Sequence, residues 1–438
     1  MATAATGRRK LFGTDGVRGV AGEFLSAELA LALARAATGH VQRDDPARVL
    51  VIRDTRESGE MLEAAVAAGI AAAGGEALLG GILPTPGAPL LIERYGFDLA
   101  AVLSASHNPY QDNGIKFFGG DGFKLSDATE AAIEARIEAP VQAPRIGRVR
   151  RFHGALEDYL RALHERFRAL DLSGRRVLLD CANGSTYEAG PEIFRRLGAH
   201  VDVLAAAPDG RNINAGCGST HLDALRERMR AGAHDAGFAF DGDGDRVLAV
   251  DRNGDVVDGD ELIALAAKHL DVEGVAVTVM TNYGFHSAMR ESRIEVATTA
   301  VGDRYVLEAL RERGWALGGE QSGHIIDMGF VPSGDGIAAA LLAMEALAGG
   351  DLHDRHAMEK LPQKLVNVRV RDRGALEQAT AVHEAVERES AELEGRGRVL
   401  LRPSGTEPLV RVMVEAPTAE EAESVCSRLV ALVEAELT

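Results

Sequence analysis

"RVLVIRDT", residues 48 to 55, sets four apolar residues between arginines and ends in a polar turn. A helical Ala-rich stretch, a Gly-Gly pair and a second apolar run follow it. A short apolar, β-branched run bounded by turn residues reads as a buried strand. The same order returns twice. "RRVLLDCANGST" (175–186) leads to "YEAGPEIFRRLGAHVDVLA", and "GVAVTVMTNYG" (274–284) leads to "FHSAMRESRIEVATTA". Strand, polar loop, helix of about 3.6-residue period and second strand together predict α/β layers with largely parallel sheets. The copies are irregularly spaced, so this is weak internal similarity and not a solenoid.

The C-terminal segment follows a different order. "LVNVRV" (365–370), a charged helix from about 375 to 393, "RVLL", "LVRVMVE" and a last helix read as β-α-β-β-α. Two strands joined by a short turn predict an antiparallel pair, hence a small α+β domain. Boundaries near 155, 255 and 366 divide the chain into 1–155, 156–255, 256–366 and 367–438.

Hydrophobic residues make up 46% and charged residues 26% of the 438, the balance of a globular protein. The formal charge is −18, from 48 basic and 66 acidic residues, which argues against non-specific nucleic-acid binding. An anionic ligand would need local basic groups. Cys181, Cys217 and Cys426 are odd in number and widely spaced, so no disulfide framework or metal knuckle is expected. "MATAATGRRK" lacks a signal-peptide core, and the Ala/Gly-rich stretch 61–93 is broken by Glu76 and three prolines. A soluble cytoplasmic protein without membrane contact is the expectation.

Four loops carry the chemistry. In "LSASHNPYQDNGIKFF" (103–118) Ser106 and His107 are adjacent, and neighbours on an extended or turning chain point apart. The flanking glycines of a G-x-S-x-G elbow are missing, which counts against a hydrolase triad. In "FAFDGDGDRVLAV" (238–250) Asp241, Asp243 and Asp245 alternate with glycines after an apolar strand. Carboxylates so close repel one another unless a cation neutralises them, and hard oxygen ligands suit Mg²⁺. An EF-hand would need Gly and Glu where Arg246 and Arg252 stand, which argues against calcium. The D-x-D pattern after a strand also fits an aspartyl-phosphate phosphatase, although Asp245 stands where Thr or Val would follow.

"RPSGTEP" (402–408) offers the Arg402 fork, the Ser404 and Thr406 hydroxyls and, at Gly405, close backbone approach. It reads equally as an anion-binding loop or a decorated turn. "GGEQSGH" (318–324) alternates Glu320, Ser322 and His324, a pattern suited to a polyol or to a solvated loop. "FGTDGVRG" (12–19) brings Arg18, and Lys116 follows Ser106 by ten residues. A serine beside a metal cradle and these cations can itself carry a phosphate.

"SASHNP", "DGDGDR", "GEQSGH" and "RPSGTEP", in that order and one per domain, resemble the α-D-phosphohexomutase superfamily across essentially the whole chain. "NINAGCGSTH" and "GEQSGH" are similar to its bacterial members acting on glucosamine phosphates; relatives acting on mannose or glucose phosphates more often read "GEMSGH" or "GEESG". The resemblance implies three mixed α/β domains and a smaller C-terminal one around a central cleft, named in order for phosphoserine, metal, sugar and phosphate. It implies interconversion of glucosamine 6-phosphate and glucosamine 1-phosphate through phosphorylated Ser106 and a hexose 1,6-bisphosphate, which also serves as activator. One Mg²⁺ would be held by Ser106, Asp241, Asp243 and Asp245. Arg246 would contact the reacting phosphoryl group, with Arg18 and Lys116 assisting as cations and His107 positioning Ser106. Glu320 and Ser322 would bind sugar hydroxyls with His324 nearby, and Arg402, Ser404, Gly405 and Thr406 would clamp the other phosphate. A homodimer is a family expectation. The alternatives are a phosphomannomutase or phosphoglucomutase, a Mg²⁺-dependent phosphatase using Asp241, and a non-catalytic sugar-phosphate binder.

Overall fold

The computed structural model describes residues 11–13, 15–138, 145–403 and 408–438. Four sheets follow one another along the chain. The first contains β1 (Val17–Val20), β2 (Arg48–Arg53), β3 (Glu76–Ile82), β4 (Leu99–Leu103), β5 (Asp112–Gly119) and β6 (Arg148–Arg151), in the order β1-β5-β4-β2-β3-β6. Its helices are α1 (Ala27–Val41), α2 (Ser58–Ala72), α3 (Gly87–Tyr95) and α4 (Asp127–Glu134). The second sheet, ordered β11-β10-β9-β7-β8, contains β7 (Arg176–Asp180), β8 (His200–Leu204), β9 (Ala236–Phe240), β10 (Val247–Asp251) and β11 (Val256–Val257). It comes with α5 (Ala155–Arg166), α6 (Thr186–Arg196) and α7 (Asp223–Arg230).

The third sheet, ordered β13-β12-β14-β15, uses β12 (Gly274–Thr278), β13 (Glu295–Thr299), β14 (Leu317–Gly319) and β15 (Ile325–Asp327). Its stretch of chain holds α8 (Gly259–Leu270), α9 (Tyr283–Glu291), α10 (Asp303–Arg313) and α11 (Gly336–Ala346). The last sheet is β16-β18-β17, from β16 (Gln363–Arg369), β17 (Arg398–Pro403) and β18 (Leu409–Glu415), with α12 (Thr380–Glu392) and α13 (Ala419–Leu437). Two compact units result: the chain up to Val279 with Ala297–Arg355, and Met280–Val296 with His356–Thr438.

The three expected strand–helix–strand units are β2-α2-β3, β7-α6-β8 and β12-α9-β13. In the first two the strands pair parallel. The sheets as a whole are mixed, not largely parallel: β4–β5, β9–β10, β14–β15 and β17–β18 all pair antiparallel. Apolar periodicity reports which face is buried and is silent on strand direction. The motifs around Ser106, Asp241–Asp245 and Glu320 lie at the first three of these antiparallel connections, where a turning chain brings several side chains to one end of a sheet, and Arg402 of the fourth motif lies in β17.

Burial explains why the elements hold. Val49, Val51, Leu99, Ala101 and Leu103 pack with Leu33 of α1 and Leu62, Val66 and Ile70 of α2. On α13, Ala422, Val425, Leu429 and Val433 recur at helical spacing and pack with Val410, Val412 and Val414 of β18. Asp258 and Glu261 close a reciprocal capping box on α8. The three cysteines are buried and unpaired with one another. Among the described residues no helix is long and apolar enough to cross a membrane.

Candidate active site

Ser106 follows β4 in a left-handed conformation, φ 53°, and is 2% exposed. A non-glycine residue held there costs about 1–2 kcal/mol, so its surroundings must hold it. Arg56, fully buried, does so. Its guanidinium donates to the Ser106 carbonyl at 2.9 Å, to Asn108 O at 2.8 Å, to Asp112 O at 2.9 Å and to Pro109 O. Asp54 anchors Arg56 at 2.8 Å and accepts from Ser104 Oγ at 2.6 Å. Burial raises the Asp54 pKa despite these partners. Asn214 adds a further hydrogen bond to the Ser106 carbonyl, at 2.9 Å.

The β9–β10 connection reaches Ser106 directly. Ser106 Oγ donates to Asp241 Oδ2 at 2.5 Å, and the Arg246 backbone N–H donates to Asp241 Oδ1 at 3.1 Å. Gly242 lies so close that a Cβ there would stand 2.6 Å from the Ser106 carbonyl oxygen. Asp241, Asp243 and Asp245 are all at most 3% exposed and bring ligand oxygens within 4.8 Å of one another. One oxygen each of Asp243 and Asp245 is buried without a hydrogen-bond partner. Three converging hard oxygens with unfilled lone pairs fit a small divalent cation such as Mg²⁺. Burial and the other two carboxylates push the Asp241 pKa well up. Asp245 is held well below the usual range, because Lys116 and His324 outweigh its burial.

The cations are engaged with this cradle. Lys116, 1% exposed, has Nζ 2.9 Å from Asp243 and 3.0 Å from Asp15. Burial works against its charge, but Asp15, Asp243 and Asp245 prevail and raise its pKa. It is therefore a fixed, paired ammonium and not a free one. Asp15 also pairs with Arg18 and, at 2.6 Å, with Lys124, which reaches Asp303 at 2.5 Å. His324 closes the circuit at 3.6 Å from Asp245 and 3.7 Å from Asp303. Burial depresses its pKa while the two aspartates raise it, with the raising side ahead. The Gly334 N–H donates to Nε2 at 3.2 Å, so the ring's remaining proton belongs on Nδ1, facing Asp245. His324 is thus turned to the cradle and to Asp303.

His107 Nδ1 stands 3.4 Å from both Ser106 Oγ and Arg246 Nη1. Burial, Arg246 and Arg18 push its pKa down, so the ring is neutral at pH 7. An open cleft of about 670 Å³ lies over this floor, with Arg18, Arg246, Asp245, Asp303, Glu320 and His324 among its walls. Glu320 accepts from the Gly302 N–H at 3.1 Å. Ser322 is exposed on the same loop. Gln321 turns away and donates to Asp258 at 3.2 Å.

Ser404, Gly405 and Thr406 lie outside the described residues. Arg402, in β17, stands directly opposite Arg411 of β18. Burial and that neighbouring charge push the Arg402 pKa down, and Arg411 Nε is buried without a partner. Two adjacent guanidiniums with unmet donors suit an anion.

The motifs did not single out Asp15, Arg56, Lys124, Asp303 or Arg411 for this chemistry. Only Arg411 left a sequence signal, a charge inside the apolar run "LVRVMV".

Comparison with known proteins finds four family matches along the chain. Domain I of the phosphoglucomutase/phosphomannomutase family, an alpha/beta/alpha domain, matches residues 9–143, domain II 157–254, domain III 258–367 and the C-terminal domain 365–432. A phosphoglucosamine mutase of Deinococcus deserti is 48% identical over 440 residues, covering 98% of each chain. One from Mycobacterium bovis is 49% identical, covering 97% of this chain and 98% of its own. Among solved structures, a phosphoglucomutase/phosphomannomutase family protein from Burkholderia thailandensis superposes with TM-score 0.82 at 23% identity, covering 97% of both chains. The N-acetylphosphoglucosamine mutase of Aspergillus fumigatus gives 0.70 at 17% identity, covering 99% of this chain and 97% of its own. The same four domains in the same order, with near half identity from end to end, place this chain in the phosphoglucosamine mutase family, among the isomerases of the phosphohexomutase fold.

Proposed function

We propose that the chain interconverts glucosamine 6-phosphate and glucosamine 1-phosphate through a phosphoserine at Ser106. The observation that carries this reading is the buried Ser106 Oγ, held 2.5 Å from Asp241 at the edge of a three-carboxylate cradle. Phosphorylated Ser106 gives its phosphoryl group to the free sugar hydroxyl. The Oγ–P bond breaks, a sugar O–P bond forms, and the hydroxyl proton ends on Oγ. The resulting glucosamine 1,6-bisphosphate turns over and returns its other phosphate to Ser106. Asp241, Asp243 and Asp245, with a phosphoserine oxygen, would hold Mg²⁺, which when bound neutralises charge on the phosphoryl oxygens.

The protein groups have separate tasks. Arg246, Arg18 and Lys116 balance the charge of the phosphoryl group, and His107 orients Oγ. Glu320 and Ser322 bind the sugar hydroxyls, while His324 holds Asp245. Arg402 and Arg411, with Ser404, Gly405 and Thr406, bind the phosphate that is not reacting. On this reading 1–155 supplies the serine, 156–255 the metal ligands, 256–366 the sugar contacts and 367–438 the phosphate clamp. An aspartyl nucleophile is disfavoured because Asp241 Oδ2 accepts the Ser106 hydroxyl at 2.5 Å, which puts the serine oxygen and not the carboxylate in the place of phosphate carrier.

The test is kcat/KM on glucosamine 1-phosphate, glucose 1-phosphate and mannose 1-phosphate, with Mg²⁺ and a trace of hexose 1,6-bisphosphate. Phosphopeptide mapping and the variant Ser106→Ala accompany it. Glucosamine should be strongly preferred, phosphate should map to Ser106, and Ser106→Ala should lose several orders of magnitude in rate. Near-normal turnover by Ser106→Ala would sink the phosphoserine, and a glucose or mannose preference would overturn the sugar assignment.

A further inference from the structure

The stretch "NINAGCGSTH" (212–221) lies between β8 and α7, in the segment that brings the three aspartates. The mutase reading gives it no task. Within it Asn214 is buried, 7% exposed, and left-handed at φ 56°, a conformation that asparagine tolerates. Its Nδ2 donates to the Ser106 carbonyl at 2.9 Å and to the Asn108 carbonyl at 3.1 Å. Arg56 donates to the same two oxygens at 2.9 and 2.8 Å, from the serine's own sheet. Asn214 thus grips the serine loop from the side of the metal ligands. Two carbonyl acceptors can face only the amide nitrogen, so the amide has one orientation.

Backbone joins Asn214 to the metal loop. Its N–H donates to the Ala182 carbonyl at 2.9 Å, and three residues on the Ser185 N–H donates to the Gly242 carbonyl at 2.9 Å. Gly242 stands between Asp241 and Asp243. It also packs on the amide itself, since a Cβ there would lie 2.7 Å from Asn214 Nδ2. One side chain therefore holds the serine loop with its donors and touches the metal loop beside them.

Ser106 also meets the cradle directly, through the Oγ–H bond to Asp241 at 2.5 Å. That bond needs the hydroxyl proton. Once Oγ carries a phosphoryl group it has no proton to donate, and phosphate and carboxylate repel unless a cation lies between them. The Asn214 bonds end on carbonyl oxygens, which phosphorylation leaves intact. Resting on the phosphoserine reading above, we propose that Asn214 is a positioning residue that keeps Ser106 in register with the metal cradle while the serine is phosphorylated. It acts through the main chain, so its loss falls on the rate of phosphoryl transfer and spares sugar binding.

The experiment takes the full chain as wild type, Asn214→Gly and Asn214→Asp. Each is phosphorylated with hexose 1,6-bisphosphate or dephosphorylated with excess sugar monophosphate. Glycine keeps the left-handed backbone without the amide, and aspartate keeps the shape but turns an oxygen to the two carbonyls. With Mg²⁺ and glucosamine 1-phosphate, both variants should lose about 10- to 100-fold in kcat, with KM unchanged within about threefold. Melting in EDTA separates positioning from plain structure. Asn214→Gly should lower the melting temperature by about 2 °C more in the phosphoenzyme than in the dephosphoenzyme, which retains the Ser106–Asp241 bond. An equal melting cost in both states, or a kcat within about twofold of wild type, overturns the role of Asn214. A wild type whose Ser106 takes up no phosphate on peptide mapping would instead refute the phosphoserine reading, an outcome separable from the other two.

Discussion

Arg56 organises the serine loop through one buried side chain. Its guanidinium spans four carbonyls between Ser106 and Asp112, and its counter-ion Asp54 has no exposed surface on its side chain. Removing one partner of such a pair leaves a buried charge uncompensated, which costs about 3–5 kcal/mol. Arg56→Ala should therefore lower the unfolding free energy by about that amount, read by urea denaturation. The double variant Arg56→Met/Asp54→Leu should recover much of the stability while leaving the serine loop untethered and the enzyme slow. Full activity in the double variant would show that the tether does not matter for Ser106. None of this was legible in "RDTRESG", which reads as a polar loop until the fold delivers Asn108 and Pro109 to it. Ser106 and the three aspartates stand in local motifs that the sequence singles out, and the structure brings them together. Asp15, Lys116, Lys124 and Asp303 meet only through folding, and their charge circuit has no local signature.

At the scale of elements, the three strand–helix–strand units were readable from composition because buried strands and amphipathic helices have different periods. Strand direction was not, and it decides where the motif loops lie. A supporting element also escaped notice: the turn before α11, whose N-cap is Asp335. At Gly334 a Cβ would stand 2.5 Å from His324 Cε1 and 2.6 Å from the Asp245 carbonyl oxygen. The turn thus packs against both the His324 ring and the backbone of the Asp241–Asp245 loop. Gly334→Ala should force His324 and Asp245 apart, costing about 1–3 kcal/mol of stability. It should also raise the Mg²⁺ concentration needed for half-maximal activity. Magnesium titration of the rate, alongside melting curves, checks both. A variant with weakened stability and unaltered magnesium dependence would show that this packing is structural only.

Over the whole molecule, buried Asp335 and half-buried His286 give the two compact units opposite responses to acid. In the larger unit Asp335 is pushed up to about 7 by burial, against hydrogen bonds from the Ala338 N–H and from Tyr159 at 2.9 Å. The folded state then binds this proton where the unfolded chain does not, between about 4 and 7. Its contribution to stability rises as pH falls through that window. In the smaller unit His286 is pushed down to about 4 by burial and by Arg398 and Arg290. The unfolded imidazole takes up its proton near 6.5 and the folded one only near 4, so stability present above 6.5 is lost as pH falls towards 4. At about 1.4 kcal/mol per pH unit the effects across these windows are on the order of 4 kcal/mol for Asp335 and 3 kcal/mol for His286. The net charge of −18 adds self-repulsion that acid relieves, a background shared by every variant. Comparing unfolding free energies at pH 7 and pH 5 for wild type, Asp335→Asn and His286→Gln removes that background. Relative to wild type, Asp335→Asn should lose stability on acidification because its favourable proton uptake is gone. His286→Gln should gain stability on acidification because the penalty is gone. The same pH response in both variants as in wild type would mean that neither group is linked to folding, and that surface charge alone sets the acid response.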